Sequence, residues 1–264
     1  MLDLDAYFAR IGYAGPRAVL DAIVHAHTRA IPFENLDVLL GRRVDLALDA
    51  IVGKLVHARR GGYCFEQNTL LLAVLDALGF RVRPLSGRVR QGRPRDYTPA
   101  RTHLMVRVEL DHPYLADVGL GSLSPTAALR LDVGDEQPTP HEPRRLLREG
   151  GLVYHQARLG DAWQDLCELT LEEMPPIDRE VANWYTSTHP GSHFKNRLIV
   201  ARALPDGGRV TLLNRELTVR AAGGHAEVHV LASPDELLDV LAARFGLAFP
   251  AGTQFPCPAL DWPA

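Results

Sequence analysis

The sequence predicts an α+β protein of three successive textures. Helices run to about residue 80, short antiparallel strands then form a small barrel or sandwich, and more strands follow, closed by a helix. Three observations carry this. Up to that point apolar residues recur at helical spacing, as in Leu71, Val74, Leu75 and Leu78. From Phe80 they alternate in short runs broken by turn signals such as Glu149-Gly150-Gly151 and Leu159-Gly160-Asp161. Near the C-terminus Ser233, Pro234 and Glu236 mark a helix start with a capping box, and Gly246 marks its stop.

In order, residues 3–11 and 16–30 read as helices, the second with Pro16 in its first turn and a stripe of Leu20, Ile23, Val24 and His27. His25 and His27 do not make a metal site, because residues two apart on a helix do not share a face. The segment 31–36 is a connector. Leu48, Ile51, Val52 and Leu55 mark a third helix, and a fourth begins at Cys64 and closes an all-helical unit. Strands follow at 80–90, 101–109, 113–119, 144–149, 152–157 and 162–168, with 91–100 and the proline-rich 120–143 as loops. A helical stretch at 177–187 leads to strands near 197–203, 209–213, 216–221 and 225–231. The tail from Phe249, with four prolines, is extended.

Composition excludes several classes. A net charge of −3 gives no reason to expect nucleic acid or an anionic membrane as partner. Cys64, Cys167 and Cys257 are odd in number and fit no disulfide or zinc spacing, so a reducing, cytoplasmic setting is expected. The acidic, amphipathic start is no signal peptide, and no apolar run reaches the length of a membrane span.

The stretch from Arg60 to Asn68 is the centre of the chemistry. Cys64 falls in the first turn of its helix, where unpaired backbone N–H groups favour the thiolate, the nucleophilic form. A buried structural cysteine is the alternative, and the preceding Gly61-Gly62 shifts the balance by letting backbone or substrate approach the sulfur. Of eleven histidines, His103 on an early barrel strand is the best base, and Asp117 on the next strand supplies a carboxylate that is costly to bury unpaired. Together they make a nucleophile, a base and an orienting acid. Side-chain alternation tests this: a two-residue turn at Asp111-His112 puts His103 and Asp117 on opposite faces. A five-residue loop pairing Arg107 with Pro113, or a bulge, is therefore expected.

RGGYCFEQN, THLMV and YLADVGLG, with YFARIGY, IPFENLD and SHFKNRLIVAR, closely resemble the arylamine N-acetyltransferases over nearly the whole chain. The resemblance implies a helical bundle at 1–80, an antiparallel β-barrel at 81–190 and an α/β lid at 191–264, on the cysteine catalytic core of papain-like proteases and transglutaminases. It implies a triad of Cys64, His103 and Asp117. It also implies an oxyanion hole from the Phe65 and Thr102 N–H groups, and an acceptor pocket of Phe33, His193 and Phe194. Acetyl-CoA would approach Leu120 and Gly121, and Arg10, Glu34 and Arg60 would form a buried charge network beside the thiol, the guanidiniums gripping the carboxylate bidentately. No metal is implied. Arg88, Arg90, Arg93 and Arg95 are either a phosphate contact or a solvated loop, and Gly207-Gly208 either a cofactor contact or a plain hairpin turn. The segment 187–192 departs from the serine-proline pattern of the family, which bears on acceptor preference.

The reaction so implied is a ping-pong transfer of acetyl from acetyl-CoA through Cys64 to an arylamine, aryl hydrazine or N-hydroxyarylamine, by a monomer or homodimer. The rival readings are an amide synthase with a carrier-bound or different acyl donor, a transglutaminase-like cysteine hydrolase, and a non-enzymatic binding module. The intact Cys, His and Asp set argues against the last.

Overall fold

A computed structural model describes residues 2–16 and 19–262. Helix α1 (Leu4–Ile11) starts where Asp3 Oδ1 accepts the Ala6 N–H and stops at Gly12, φ 64°. Helix α2 (Leu20–Ala30) begins later than Pro16, because Tyr13 Oη donates to the Pro16 carbonyl in a turn and Val19 is extended. Residues 17 and 18 of that expected helix lie outside the described residues.

The connector is more ordered than expected. Strand β1 (Phe33–Glu34) is followed by the short helix α3 (Leu36–Leu39). The first eighty residues are thus not purely helical, since β1 pairs with a strand of the last sheet. Helix α4 (Leu48–Ile51) runs on as a π-helix over Val52–His57, ended by Arg59 at φ 53°. Helix α5 (Cys64–Ala77) is buried on most sides, and Gly79 at φ 86° turns the chain away. Tyr7, Phe8, Ile23, Val24, Leu55, Leu70 and Val74 share one core with Val106 and Val108 of the barrel, so helices and barrel pack as a unit.

The barrel has strands β2 (Arg81–Val89), β3 (His103–Glu109), β4 (Pro113–Ala116), β5 (Leu129–Arg130), β6 (Arg144–Glu149), β7 (Leu152–Leu159) and β8 (Ala162–Glu173). Its order is β5-β4-β3-β2-β8-β7-β6, antiparallel between neighbours. The expected loop 120–143 contains β5 and a 3₁₀ turn at Gly121–Leu123. Gln137 links the two edge strands. Its backbone exchanges hydrogen bonds with Arg144 of β6 (2.7 and 2.9 Å), and its amide imitates a strand towards Arg130 of β5 (2.7 and 3.1 Å). Leu85, Met105, Leu115, Leu129, Leu146, Val153 and Leu169 fill the interior.

Helices α6 (Pro176–Thr188) and α7 (His193–Asn196) lead to β9 (Ile199–Ala203), β10 (Arg209–Leu213), β11 (Glu216–Arg220) and β12 (Ala226–Val230). These make a second antiparallel sheet, β1-β9-β10-β11-β12. Helix α8 (Pro234–Phe245) lays Leu237, Leu241 and Phe245 on Val200, Val210 and Leu212, each buried side chain worth roughly 1.5–3 kcal/mol. Ser233 caps α8 and Gly246 ends it, but the capping box is only half made. The Glu236 carboxylate is drawn to His229 (2.6 Å) and accepts the Ala232 N–H instead of that of Ser233. Among the described residues no helix is long and apolar enough to cross a membrane.

Candidate active site

Tyr63 is extended and Cys64 takes the first position of α5, its sulfur at the free N–H end of the helix. Glu66 folds back to accept the Tyr63 N–H (3.0 Å), and burial pushes its carboxyl up to about 6 against the pull of Lys54. The glycines before Cys64 serve the backbone and not the sulfur. A β-carbon on Gly61 would lie 2.2 Å from the Pro32 carbonyl oxygen, and one on Gly62 would strike the Glu66 carboxylate at 2.7 Å. Their smallness lets β1 run beside Gly62.

Strands β3 and β4 carry the partners. Glu109 pairs with Pro113, so the connection is the three residues 110–112, without the expected five-residue loop or bulge. Odd positions on both strands then share a face, and Asp117, just beyond β4, lies diagonal to His103. His103 Nε2–H donates to Asp117 Oδ2 at 2.7 Å, and the Cys64 sulfur lies close enough to the same ring to favour its charged form. Asp117 Oδ1 accepts from Asn68 Nδ2 (2.8 Å) and the Gly119 N–H (2.9 Å). Asn68 sits one turn after Cys64 and also holds the Leu104 carbonyl (2.6 Å) and the Val118 N–H (3.0 Å), tying nucleophile helix, β3 and Asp117 together. Sequence reasoning missed it, although a polar residue four places after Cys64 in a buried helix was a usable signal.

Burial opposes charge on His103, but the Asp117 carboxylate outweighs it and, with the sulfur, pushes the imidazole up to about 10. Burial raises Asp117, yet the charge and hydrogen bonds of His103, Asn68 and Gly119 hold it below the ordinary carboxylate value. The raised ring contributes stability that is whole below its ordinary value of 6.5 and lost as pH rises through about 10. The lowered carboxyl contributes above its ordinary 3.8 and loses that only in stronger acid. Urea unfolding of wild type and His103→Gln should therefore differ most between about pH 4 and 6.5, with the gap closing towards pH 10. A gap independent of pH contradicts a charged pair.

Sulfur, imidazole and carboxylate thus stand in one buried chain of contacts. The sequence model of a family described as N-acetyltransferase matches residues 18–253. The chain is 46% identical over 255 residues to the arylamine N-acetyltransferase of Mycolicibacterium smegmatis, covering 93% of this chain and 92% of that protein. It belongs to the arylamine N-acetyltransferase family. The Escherichia coli K12 arylamine N-acetyltransferase is 42% identical over 249 residues, covering 92% of this chain and 88% of that one. Among solved structures, the Mycobacterium marinum arylamine N-acetyltransferase in complex with CoA superposes with a TM-score of 0.88 at 44% identity, over 92% of each chain.

In this member of the arylamine N-acetyltransferase family the aromatic residues gather by the sulfur. Phe33 and Phe194 lie 6.0 Å apart between ring centroids, Tyr63 meets Phe194 edge-on at 5.7 Å, and His193 lies 4.2 Å from Phe194. Phe33, Tyr63, Phe65 and Phe194 share an apolar cluster with Cys64. Tyr63 Oη donates to Asn183 of α6, whose amide donates to the Val44 carbonyl at 3.0 Å. The divergent 187–192 segment sets Phe194: Ser192 Oγ donates to the Thr186 carbonyl (2.6 Å) and accepts the Phe194 N–H (3.3 Å).

Other expected contacts differ. The Thr102 N–H is spent on the Ala100 carbonyl (3.0 Å), and it is the Thr102 carbonyl that faces the sulfur at 3.5 Å. Leu120 is buried with its carbonyl held by Gln91 (3.2 Å), and a β-carbon on Gly121 would just reach the Phe33 ring, at 3.7 Å. Arg10 does not reach Glu34. It binds the Leu55 and Ala30 carbonyls (2.9 and 2.7 Å), closing the ends of two helices. Arg60 gives both Nε and Nη2 to one oxygen of Glu34, because the other accepts the Leu36 N–H. The network runs on through Asp37 and Lys54 to Glu66, three residues that sequence reasoning passed over.

The arginine stretch is largely occupied. Arg90 is buried against the carbonyls of Pro94, Arg95 and Tyr97, Arg95 pairs with Asp165 and Glu149, and Arg88 binds the Pro99 carbonyl. Gly207-Gly208 is a hairpin turn, its Gly208 carbonyl facing His141. No group of side chains able to hold a metal ion occurs among the described residues.

Gly119 presses directly on the nucleophile and its helix. A β-carbon there would lie 2.6 Å from Cys64 Cα and 2.9 Å from Asn68 Nδ2. Gly119→Ala should cost about 1–3 kcal/mol in urea unfolding and slow alkylation of Cys64 by iodoacetamide, since α5 or the loop must retreat. Wild-type stability with wild-type alkylation contradicts this close fit.

Proposed function

We propose that the chain transfers acetyl from acetyl-CoA to arylamines, aryl hydrazines or N-hydroxyarylamines, with Cys64 as nucleophile, His103 as acid and base, and Asp117 as the orienting carboxylate. The observation that carries this reading is the buried contact chain from the Cys64 sulfur through His103 to Asp117. Family membership supports the donor and acceptor classes, as do the name of the Salmonella relative, an arylamine N-acetyltransferase and N-hydroxyarylamine O-acetyltransferase at 42% identity, and the CoA complex of the M. marinum protein.

In the first half-reaction the Cys64 thiolate, beside the His103 imidazolium, attacks the acetyl carbonyl. Phe65 N–H, at the open end of α5, is our candidate to receive the oxyanion, a donor of this kind contributing about 3 kcal/mol. Thr102 is not assigned this role, its N–H being engaged. CoA leaves with a proton and an S-acetyl cysteine remains. In the second, the amine attacks the thioester, His103 takes its proton, and Cys64 is restored. Phe33, Tyr63 and Phe194 offer flat apolar walls to an aromatic acceptor, with His193 at the rim, and exclude the water that would otherwise hydrolyse the thioester. Acetyl-CoA would reach the sulfur past Gly121. Arg10 and the Glu34–Arg60 pair keep the bundle aligned and take no part in the chemistry.

Three free, buried cysteines suit a reducing compartment, and we place the protein in the cytoplasm. Initial rates varied against acetyl-CoA and an aryl hydrazine test the scheme. Parallel double-reciprocal lines are expected, and intersecting lines overturn the covalent relay. Release of CoA at the same steady rate with and without amine would make the protein a thioesterase.

A further inference from the structure

The loop from Asp117 to Ser124 packs at Gly119 against Cα and Cβ of Cys64, and its far end is held by buried charge. Arg144 of β6, its side chain 0% exposed, donates from Nη2 to the Leu123 carbonyl (2.9 Å) and to Glu142 Oε2 (3.1 Å). Arg209 of the lid strand β10 donates to the Ser124 carbonyl (3.0 Å) and grips Glu142 through both carboxylate oxygens (2.5 and 2.7 Å). One carboxylate therefore serves two guanidiniums, one from the barrel and one from the lid. The preceding His141 fastens the same junction, meeting Thr126 Oγ1 at 3.0 Å and the Gly208 carbonyl at 3.1 Å.

We propose that Arg144, Glu142 and Arg209 are positioning residues: a barrel-to-lid clamp that sets the 117–124 loop, and through it the Asp117–His103 pair, against Cys64. The inference rests on the reading of Cys64, His103 and Asp117 as the catalytic set.

Two features separate this clamp from mere packing. It is expensive, because buried ion clusters are often no more stable than apolar replacements, and this one leaves Arg144 Nε and His155 Nδ1 buried without partners. It is also unbalanced. Arg144 Nη1 donates to His155 Nε2 at 3.0 Å, which puts the ring proton on Nδ1, and burial with the Arg144 charge lowers that imidazole to about 3 and keeps it neutral. Two guanidiniums over one carboxylate leave one positive charge behind the active site, and Asp117 lies within the field of Arg144. The other groups facing this region are Asn68 on α5, His103 on β3, His155 on β7 and Cys167 on β8, with His25 of α2 against His141.

The test reads the pH at which iodoacetamide alkylation of Cys64 falls away on the acid side, together with the rate of Cys64 acetylation in a single turnover. Arg144→Met removes positive charge and should move the acid limb up by about half a unit, whereas Glu142→Gln removes negative charge and should move it down. Both should slow acetylation roughly ten- to hundredfold through a displaced loop. Arg144→Lys, which keeps the charge, should restore the limb. Limbs that stay in place, or that move the same way in both variants, overturn the clamp and leave a structural ion cluster. If Arg144→Met does not fold, the direction of the Glu142→Gln shift decides alone. Alkylation needs no acetyl-CoA, so failure of the acetyltransferase reading appears separately, as a wild-type protein that is not acetylated.

Discussion

Asp117→Asn yields a folded protein whose Cys64 is acetylated about 10⁴-fold more slowly than in wild type. The side chain is nearly isosteric, and one amide oxygen can still accept from Asn68 and Gly119, so packing changes little. What disappears is the charge that holds His103 as imidazolium. Without it, burial pushes the ring down from about 10 and the ring proton leaves the ion pair with the sulfur. Circular dichroism and urea unfolding verify the fold, and a single-turnover assay with acetyl-CoA reads the chemistry. Turnover within a few-fold of wild type would reduce Asp117 to a structural carboxylate.

Cys64→Ser is the larger effect, a loss of about 10⁶-fold in amine acetylation, comparable to removing any covalent nucleophile. An alcohol beside His103 is not ionised as a thiol can be, and its acetyl derivative would be an ester, slower than a thioester towards amines. The replacement is small and the residue is 4% exposed, so stability should change little. Residual activity within about a hundredfold of wild type would point to direct transfer from acetyl-CoA to the amine, with Cys64 a bystander.

What was legible in the sequence was what local rules control. The start of α5 at Cys64 follows from apolar spacing after a glycine pair, and the cap of α8 follows from Ser233 and Pro234. The pairing of His103 with Asp117 was legible as chemistry but not as register. Parity demanded an odd-numbered connection, and three residues satisfy it as well as five. Long-range partners were the least legible. Strand β1 is two residues long and exists because β9, far along the chain, completes it. Arg10 looked like a charge in search of an anion, yet it is spent on backbone carbonyls, and Arg90 divides its guanidinium between backbone carbonyls and Glu168, which no pattern of charges reveals. The Thr102 N–H was assigned through resemblance, and a local turn to Ala100 consumes it. Asn68 and Arg144 were missed because their partners lie on other strands.

The central claim is that acetyl passes through the Cys64 sulfur. Mass mapping after brief exposure to acetyl-CoA alone tests it most directly. Cys167 and Cys257 are also buried, and burial raises the Cys167 thiol well above its usual range, so neither should compete. One acetyl group on the Cys64 peptide, cleared by an aryl hydrazine with formation of the N-acetyl product, is the predicted result. A folded protein with intact acetyl-CoA and no acetyl on Cys64, or with the label on Cys167 or Cys257, would contradict it.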